Sequence, residues 1–214
     1  MQFAEWEPIY RQIRTDFGYD TQGDKLARDL LASFSPFYSA DSLDYTGKTV
    51  AIVGAAPTLE EHVTHVEDAD CIIAASTAAD VITSAGYRVD LMVTDLDKNP
   101  ETVKCRTDRS KPVVVHAHGD NRSLLRTWLP RLDTEWVLPT TQCAPTETVH
   151  NFGGFTDGDR AAYLADTFGA ERLVFVGWDF DDPTVSDIKS KKLAWADKLL
   201  TLLATRRQDS FDTL

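Results

Sequence analysis

Positive charge is scarce in this chain. Its 214 residues include 22 Lys and Arg against 34 Asp and Glu, which gives a formal net charge of −12. Nucleic-acid backbones and anionic membrane surfaces are bound through Lys and Arg, so the charge balance argues against both kinds of partner. No apolar run approaches the roughly 18 residues of a membrane span, and the N-terminal segment MQFAEWEPIYRQIR has no apolar signal core. We therefore expect a soluble, cytoplasmic protein, and homo-oligomerisation stays open.

Lysine and cysteine are rare as well. The chain has 9 Lys against 13 Arg, and 25 Asp against 9 Glu. An excess of Asp with little Lys is typical of proteins from a salt-filled cytoplasm, because net charge keeps a protein soluble when other charges are screened. The alternative is an ordinary acidic protein. Cys71, Cys105 and Cys143 are far apart with no C-x-x-C pair, so they indicate no particular site and fit a reduced cytosol.

Short apolar runs alternate with helical segments from residue 49 onward. The runs are rich in β-branched and aliphatic residues, as in strands buried on both faces. Six strands alternating with helices predict an α/β fold, with an open, mostly parallel sheet of about six strands and helices on both faces. Apolar residues at helical spacing before this region predict a helical N-terminal cap over 1–45 and an α/β catalytic domain over 46–214. The predicted strands are Thr49–Val53, Cys71–Ala75, Asp90–Val93, Val113–His116, Trp136–Leu138 and Arg172–Val176.

Polar side chains follow the predicted strands, at the edge where open α/β sheets bind ligands. The sharpest signal is Asp95 and Asp97 after the third strand. In an extended segment, residues two apart point the same way, and two adjacent carboxylates repel each other unless a cation lies between them. The pair therefore favours a Mg²⁺ site shared with substrate phosphates. The alternative is a solvated acidic turn in an Asp-rich chain.

The segment His116-Ala-His118-Gly-Asp120-Asn121 follows the fourth strand. One interpretation is a transition-metal site, for which imidazole is a favoured ligand. Another is a polar wall in which His donates to phosphate and Asp120 joins the Mg²⁺ ligands. In a third, Asp120 or Asn121 is an ordinary N-cap of the next helix.

Three further segments have the chemistry of phosphate contacts. The loop NFGGFTDGDR precedes a helix N-terminus, whose free N–H groups can bind anions. The turn at 54–58 resembles a phosphate-approach loop, but it lacks both G-x-G-x-x-G and the P-loop lysine. Lys189, Lys191 and Lys192 lie within four positions of a chain that has only nine lysines, so they favour a phosphate partner over surface charge balance.

These segments together resemble the archaeal 6-hydroxymethyl-7,8-dihydropterin pyrophosphokinases of the MptE type. The resemblance is carried by GAAPTLEE, TDLD, HAHGDN, GGFTDGDRAA, GWDF and KSKKLAWADKLL, in the family's order. It implies a core like that of thiamin pyrophosphokinase, with ATP and Mg²⁺ as cofactors. It also implies transfer of the β,γ-diphosphate of ATP to the pterin hydroxymethyl group, in folate or methanopterin biosynthesis. One departure is Ala-Ala-Pro-Thr at 55–58, where relatives usually have a loop richer in Gly and Ser.

Roles for individual residues follow from the required chemistry. Asp95, Asp97 and Asp120 would hold Mg²⁺, and the same carboxylates with His116 and His118 form the predicted catalytic set. The predicted substrate-binding residues are Asn121, Phe155, Thr156, Asp157, Asp159, Trp178 and Asp179. The predicted nucleotide-binding residues are Gly54, Thr58, Ser76, Thr77, Arg160, Lys189, Lys191 and Lys192.

Two other functions suit the pattern less well. D-x-D on a doubly wound sheet also suits a nucleotide-sugar glycosyltransferase-like enzyme of the related flagellin-modification group. HAHGDN and GGFTDGDR count against that enzyme, as does the small size of the chain. A non-catalytic nucleotide-binding module would not need so many acidic groups at one edge.

Overall fold

The computed structural model describes residues 1–211 and has the alternation that the sequence predicts. Its strands are β1 Thr49–Val53, β2 Cys71–Ala75, β3 Leu91–Thr94, β4 Val113–Ala117, β5 Val137–Thr141 and β6 Arg172–Val176. Its α-helices are α1 Phe3–Phe17, α2 Thr21–Ala32, α3 Leu59–His62, α4 Ala78–Ser84, α5 Pro100–Thr107, α6 Arg122–Trp128, α7 Asp157–Thr167 and α8 Asp187–Arg207. The strand order is β5-β4-β3-β2-β1-β6, so the predicted α/β fold with an open parallel sheet is confirmed.

Two compact units make up the chain. The first consists of Met1–Leu43 and Leu91–Gly153, and the second consists of Asp44–Asp90 with the chain from Gly154. The predicted division into a cap and a catalytic domain was based on the change of apolar spacing along the sequence, not on packing. It stays a prediction. Among residues 1–211, no helix is long and apolar enough to cross a membrane.

The first unit is built on β3, β4 and β5 with the two N-terminal helices. Strand β4 is central and pairs in parallel with β3 and with β5, for example with Val115 opposite both Thr94 and Pro139. Helix α1 ends at Gly18, whose φ of 70° is the left-handed conformation that favours glycine at a helix C-terminus. Helix α2 packs against β4, β5 and α6. The N-terminal helices therefore belong to the same core as the strands that carry the predicted catalytic residues.

The second unit is built on β1, β2 and β6. Strand β1 is central, and Ala51 lies opposite Ile72 on one side and Val174 on the other. All three of these side chains belong to apolar strands, as expected for a sheet covered on both faces. Helix α7 packs against β1, β2 and α8, and the Tyr163 hydroxyl of α7 donates to the Leu199 carbonyl of α8 at 2.8 Å.

Several element ends differ from the prediction. Strand β5 runs on to Thr141, because the hydroxyls of Thr140 and Thr141 donate to the carbonyls of Val115 and Ala117 at 3.3 Å and so can be buried. The Thr58 side chain makes no capping hydrogen bond at the start of α3, which is only four residues long.

Candidate functional site

The turn after β3 carries the paired carboxylates. The predicted extended geometry is wrong, because β3 ends at Thr94 and Leu96 has a left-handed φ of 69°. Leu96 is fully buried, and this conformation costs such a residue roughly 1–3 kcal/mol. The Asp97 backbone N–H donates to Oδ1 of Asp95 at 3.2 Å. A turn rather than strand alternation therefore brings Asp95 and Asp97 together.

The electrostatics of this turn favour a cation. Partial burial and the neighbouring Asp95 carboxylate raise the pKa of Asp97, and Lys98, whose Nζ lies 3.6 Å from Oδ2 of Asp97, opposes the shift. A Mg²⁺ ion is commonly held by one or two carboxylates together with substrate phosphates, so these two residues fit that ion. A bound divalent cation would stabilise the ionised carboxylates against the burial and the mutual repulsion that raise this pKa.

His118 completes this group from the end of β4. Its Nε2 atom lies 3.3 Å from Oδ2 of Asp95, and its Nδ1 atom accepts the Asp120 backbone N–H at 3.3 Å. Asp120 itself is exposed in the turn Gly119–Asn121. Across residues 1–211, no three His, Cys, Asp or Glu side chains are arranged to hold a metal ion. The structure thus brings Asp95, Asp97 and His118 together, but it does not assemble the predicted trio of carboxylates.

His116 and Asn121 have buried positions beside this group. His116 is only 2% exposed, and its Nδ1 atom lies 3.1 Å from the Thr140 hydroxyl. The Asn121 amide donates to the carbonyls of Asp95 and His116 at 2.8 and 2.7 Å, and its oxygen accepts the His118 N–H at 3.1 Å. The Asn121 side chain, which was predicted to bind substrate, therefore links the end of β3 to the end of β4 by hydrogen bonds.

Trp178 organises the ends of β1 and β6 in the second unit. Its indole N–H donates to the Ile52 carbonyl at 3.0 Å, and its side chain remains half-exposed. A Cβ on Gly158 would lie 2.5 Å from the indole, and a Cβ on Gly54 would lie 2.5 Å from the Gly177 carbonyl. Gly54, which the sequence analysis assigns to nucleotide binding, and Gly158 are thus required by the packing of the protein itself.

The loop before α7 forms a capped helix start. Asp159 is fully buried and accepts the backbone N–H groups of Phe155 and Thr156 at 2.8 and 2.6 Å, together with the Thr156 hydroxyl at 2.5 Å. Burial raises the pKa of Asp159, although these hydrogen bonds oppose the shift. Asp157 pairs with the Arg160 guanidinium at 3.2 Å, and Phe155 is buried. Asp159, Thr156 and Phe155 therefore have evident structural roles, and the Arg160 side chain is itself largely buried beside the half-buried Asp157.

The other predicted residues of the second unit are more accessible. Ser76 adopts a left-handed φ of 49° directly after β2, and Thr77 is the N-cap residue of α4 but makes no capping hydrogen bond through its side chain. Asp179 accepts the Asp181 N–H at 3.0 Å in an exposed turn. Lys189 and Lys191 are exposed and Lys192 is half-buried, all in the first turns of α8.

The sequence prediction missed one buried polar group of the first unit. Asp24 of α2 is 3% exposed and accepts the backbone N–H of Gly119, the residue after His118, at 2.7 Å. The only sequence signal is a carboxylate on the apolar side of a helix. That signal does not show which group pairs with the carboxylate.

The fold and these side chains define a class of protein: a parallel α/β enzyme with carboxylates and a histidine just after strands β3 and β4. The family model described as "6-hydroxymethylpterin diphosphokinase MptE-like" matches residues 26–184. The chain belongs to this MptE-like family, so the resemblance seen in the sequence and the prediction of a pyrophosphokinase are confirmed.

Three archaeal proteins named 6-hydroxymethyl-7,8-dihydropterin pyrophosphokinase are similar along most of their length. The protein of Methanothermobacter thermautotrophicus is 36% identical, over 85% of this chain and 80% of its own. That of Pyrococcus furiosus is also 36% identical, over 95% and 94%. That of Methanocaldococcus jannaschii is 30% identical, over 99% of each chain.

Proposed function

We propose that this protein transfers diphosphate from ATP to the hydroxymethyl group of 6-hydroxymethyl-7,8-dihydropterin, in a Mg²⁺-dependent reaction that releases AMP. The observation that carries the proposal is the name shared by relatives that align with at least 80% of their length. The carboxylate pair of Asp95 and Asp97 supports it, because a polyphosphate substrate brings the cation that such a pair requires.

The reaction places few covalent demands on the protein. The pterin hydroxyl oxygen attacks the β-phosphorus of ATP, the bond from that phosphorus to the α,β-bridging oxygen breaks, and AMP leaves with the electron pair. Positioning and charge neutralisation dominate such transfers. Asp95 and Asp97 are the proposed holders of Mg²⁺, which when bound would neutralise phosphate charge, and the exposed Asp120 stays a predicted ligand outside this pair.

His118 is the proposed acceptor of the hydroxyl proton. It is part-exposed and its Nε2 faces Asp95, whereas His116 is buried against Thr140. A carboxylate next to an imidazole orients the ring and stabilises its protonated form. We therefore assign proton transfer to His118, whose Nδ1 would exchange the Asp120 N–H for the substrate hydroxyl because its Nε2 faces Asp95, and a supporting position to His116.

The proposed contacts to the nucleotide and the pterin ring are the remaining predicted residues. Arg160 and the cluster Lys189, Lys191 and Lys192 offer positive charge to phosphates. The half-exposed indole of Trp178 is held by its bond to Ile52, so it offers a fixed aromatic surface for stacking. Gly54, Thr58, Ser76 and Thr77 remain proposed nucleotide contacts, and Asp157 and Asp179 remain candidates for the polar edge of the pterin.

The test uses two incubations of the protein with Mg²⁺ and the pterin alcohol. One contains ATP labelled at the β-phosphate, and the other contains ATP labelled at the γ-phosphate. Both labels should appear in the pterin product, and AMP should form in equal amount. Transfer of the γ label alone with formation of ADP would show a simple kinase, and no transfer of either label would refute the proposal. A nucleotide-sugar donor serves as the control for the transferase alternative. The cytoplasmic location, oligomeric state, halophilic source and the final product, folate or methanopterin, remain predictions.

A further inference from the structure

Asp24 is a buried carboxylate with a full set of hydrogen-bond donors. Its Oδ1 accepts the Gly119 backbone N–H at 2.7 Å. Its Oδ2 accepts the Tyr10 hydroxyl at 2.5 Å and the Gln142 amide at 2.9 Å. The donors come from α1, from the turn after β4 and from the chain after β5, so one side chain joins three separate parts of the first unit.

The contact with Gly119 is reinforced by a close backbone approach. A Cβ built on Gly23 would lie 3.2 Å from the Cα of Gly119, and one built on Gly119 would lie 3.3 Å from the Cα of Gly23. Helix α2 therefore touches the turn directly, and a Cβ added at either glycine would press on the facing backbone. The turn is set against the helix by both a hydrogen bond and van der Waals contact.

Other contacts fasten the same helices near the ends of the strands. The Trp6 indole N–H donates to the Gln142 carbonyl at 2.8 Å, and the Trp6 ring is fully buried. Burial and the bond to Asp24 raise the pKa of Tyr10, so this hydroxyl stays a donor throughout the physiological range. An apolar contact would dock these helices at lower desolvation cost, whereas a carboxylate with three donors fixes direction as well as proximity.

The turn held by Asp24 contains residues of the proposed catalytic group. Gly119 lies between His118, whose Nε2 is 3.3 Å from Asp95, and Asp120, whose N–H is bonded to the His118 ring. A shift of the Gly119 backbone would carry both neighbours with it. Asp24 lies outside the residues 26–184 that the family model matches.

We propose that Asp24 is a positioning residue, which fixes the turn at Gly119 and thereby orients the His118 ring toward Asp95. The proposal rests on the proposed function for its kinetic consequence, but its structural part can be tested separately. The N-terminal helices are then part of the catalytic apparatus rather than an appendage.

The first test compares Asp24→Asn with Asp29→Asn, which removes the same charge from an exposed position of the same helix. Asp24→Asn should speed hydrogen exchange of the segment 117–121 by about tenfold or more, with little change in α5. It should lower kcat by at least about tenfold while the KM for ATP changes by less than about twofold, because the orientation of His118 is lost and nucleotide binding is not. Asp29→Asn should match the unsubstituted protein in each measurement.

A second variant keeps the proposal testable if Asp24→Asn fails to fold. Gly23→Ala leaves Asp24 intact and favours the helix by about 1 kcal/mol, yet its methyl group presses on Gly119. It should lower kcat without lowering the urea midpoint. Unchanged exchange at 117–121 in both variants would refute the link, and faster exchange with unchanged kcat would show that Asp24 only stabilises the fold. If the unsubstituted protein transfers no diphosphate, the proposed function fails, while the exchange data still decide whether Asp24 holds the turn.

Discussion

His118 and Asp95 are 23 residues apart in the sequence, yet Nε2 of the histidine lies 3.3 Å from Oδ2 of the carboxylate. The other oxygen of Asp95 accepts the Asp97 N–H at 3.2 Å. Asp95 is therefore oriented from both sides, whereas the charged neighbour of the Asp97 carboxylate is Lys98, whose Nζ lies 3.6 Å from its Oδ2. This asymmetry makes the two carboxylates experimentally distinguishable.

Asp97→Asn should raise stability while it lowers activity. The raised pKa of Asp97 means that its ionised form is disfavoured in the folded state. The free energy of unfolding should therefore fall as pH rises from the ordinary Asp value of about 3.9 through the raised value. At pH 7 without metal, Asp97→Asn should melt at or above the temperature of the unsubstituted protein, with kcat lowered by about 100-fold or more.

Magnesium should reverse this order of stability. Added Mg²⁺ and ATP should raise the melting temperature of the unsubstituted protein more than that of Asp97→Asn, because only the former keeps both carboxylates. Asp68→Asn, at an exposed position, is the charge-matched control. Near-normal turnover by both Asp95→Asn and Asp97→Asn would remove the metal assignment.

Gly158→Ala should destabilise the second unit, although alanine is the better helix former. Its Cβ would lie 2.5 Å from the Trp178 indole, which is held in place by the bond to Ile52. We expect a loss of about 1–3 kcal/mol in the free energy of unfolding, measured by urea denaturation. In a double-mutant cycle, the same substitution in a Trp178→Phe background should cost less, because the smaller ring leaves room. Equal costs in both backgrounds would contradict this explanation of Gly158.

The lysine cluster of α8 should affect the KM for ATP and not the KM for the pterin. Replacing Lys189, Lys191 and Lys192 together by Ala should raise the KM for ATP at least about tenfold, with the KM for the pterin nearly unchanged. Lys198→Ala is the control, since Lys198 lies on the same helix over the ring of Trp195. An unchanged KM for ATP in the triple variant would assign the cluster to surface charge balance.

Salt should stabilise this protein strongly. With a net charge of −12, surface carboxylates repel one another at low ionic strength. The Debye length shrinks from about 30 Å at 0.01 M to about 3 Å at 1 M, which removes most of that repulsion. The melting temperature should rise steeply, by about 10 °C or more between about 0.1 and 2 M KCl.

Charge-reversal variants separate screening from other effects of salt. Replacing the exposed Asp29, Asp68 and Asp209 by Lys should flatten the salt dependence, whereas Asp→Glu at the same positions should leave it unchanged. A melting temperature that does not vary with KCl would favour ordinary acidity over adaptation to salt.

The sequence by itself determined the elements and the family. The runs that form β1, β2 and β6 were predicted with their observed bounds, since continuous β-branched and aliphatic residues leave few alternatives to a buried strand. The carboxylates Asp95 and Asp97 and the motif of His118 were recognisable because their residue types and spacing are local properties of the chain. The pattern did not predict where a strand ends when its last residues are polar, as at Thr140. The Thr140 hydroxyl can be buried because it donates to a carbonyl that is distant in the sequence.

Only the tertiary structure decided what several of these residues do. Asn121 and Asp159 have the residue types of ligand contacts, but their polar atoms bind neighbouring backbone groups. Gly158 is required by Trp178, and Asp24 holds Gly119 across 95 positions of sequence. A residue type fixes which bonds a side chain can make, whereas its partner is chosen by packing between segments that no local pattern connects.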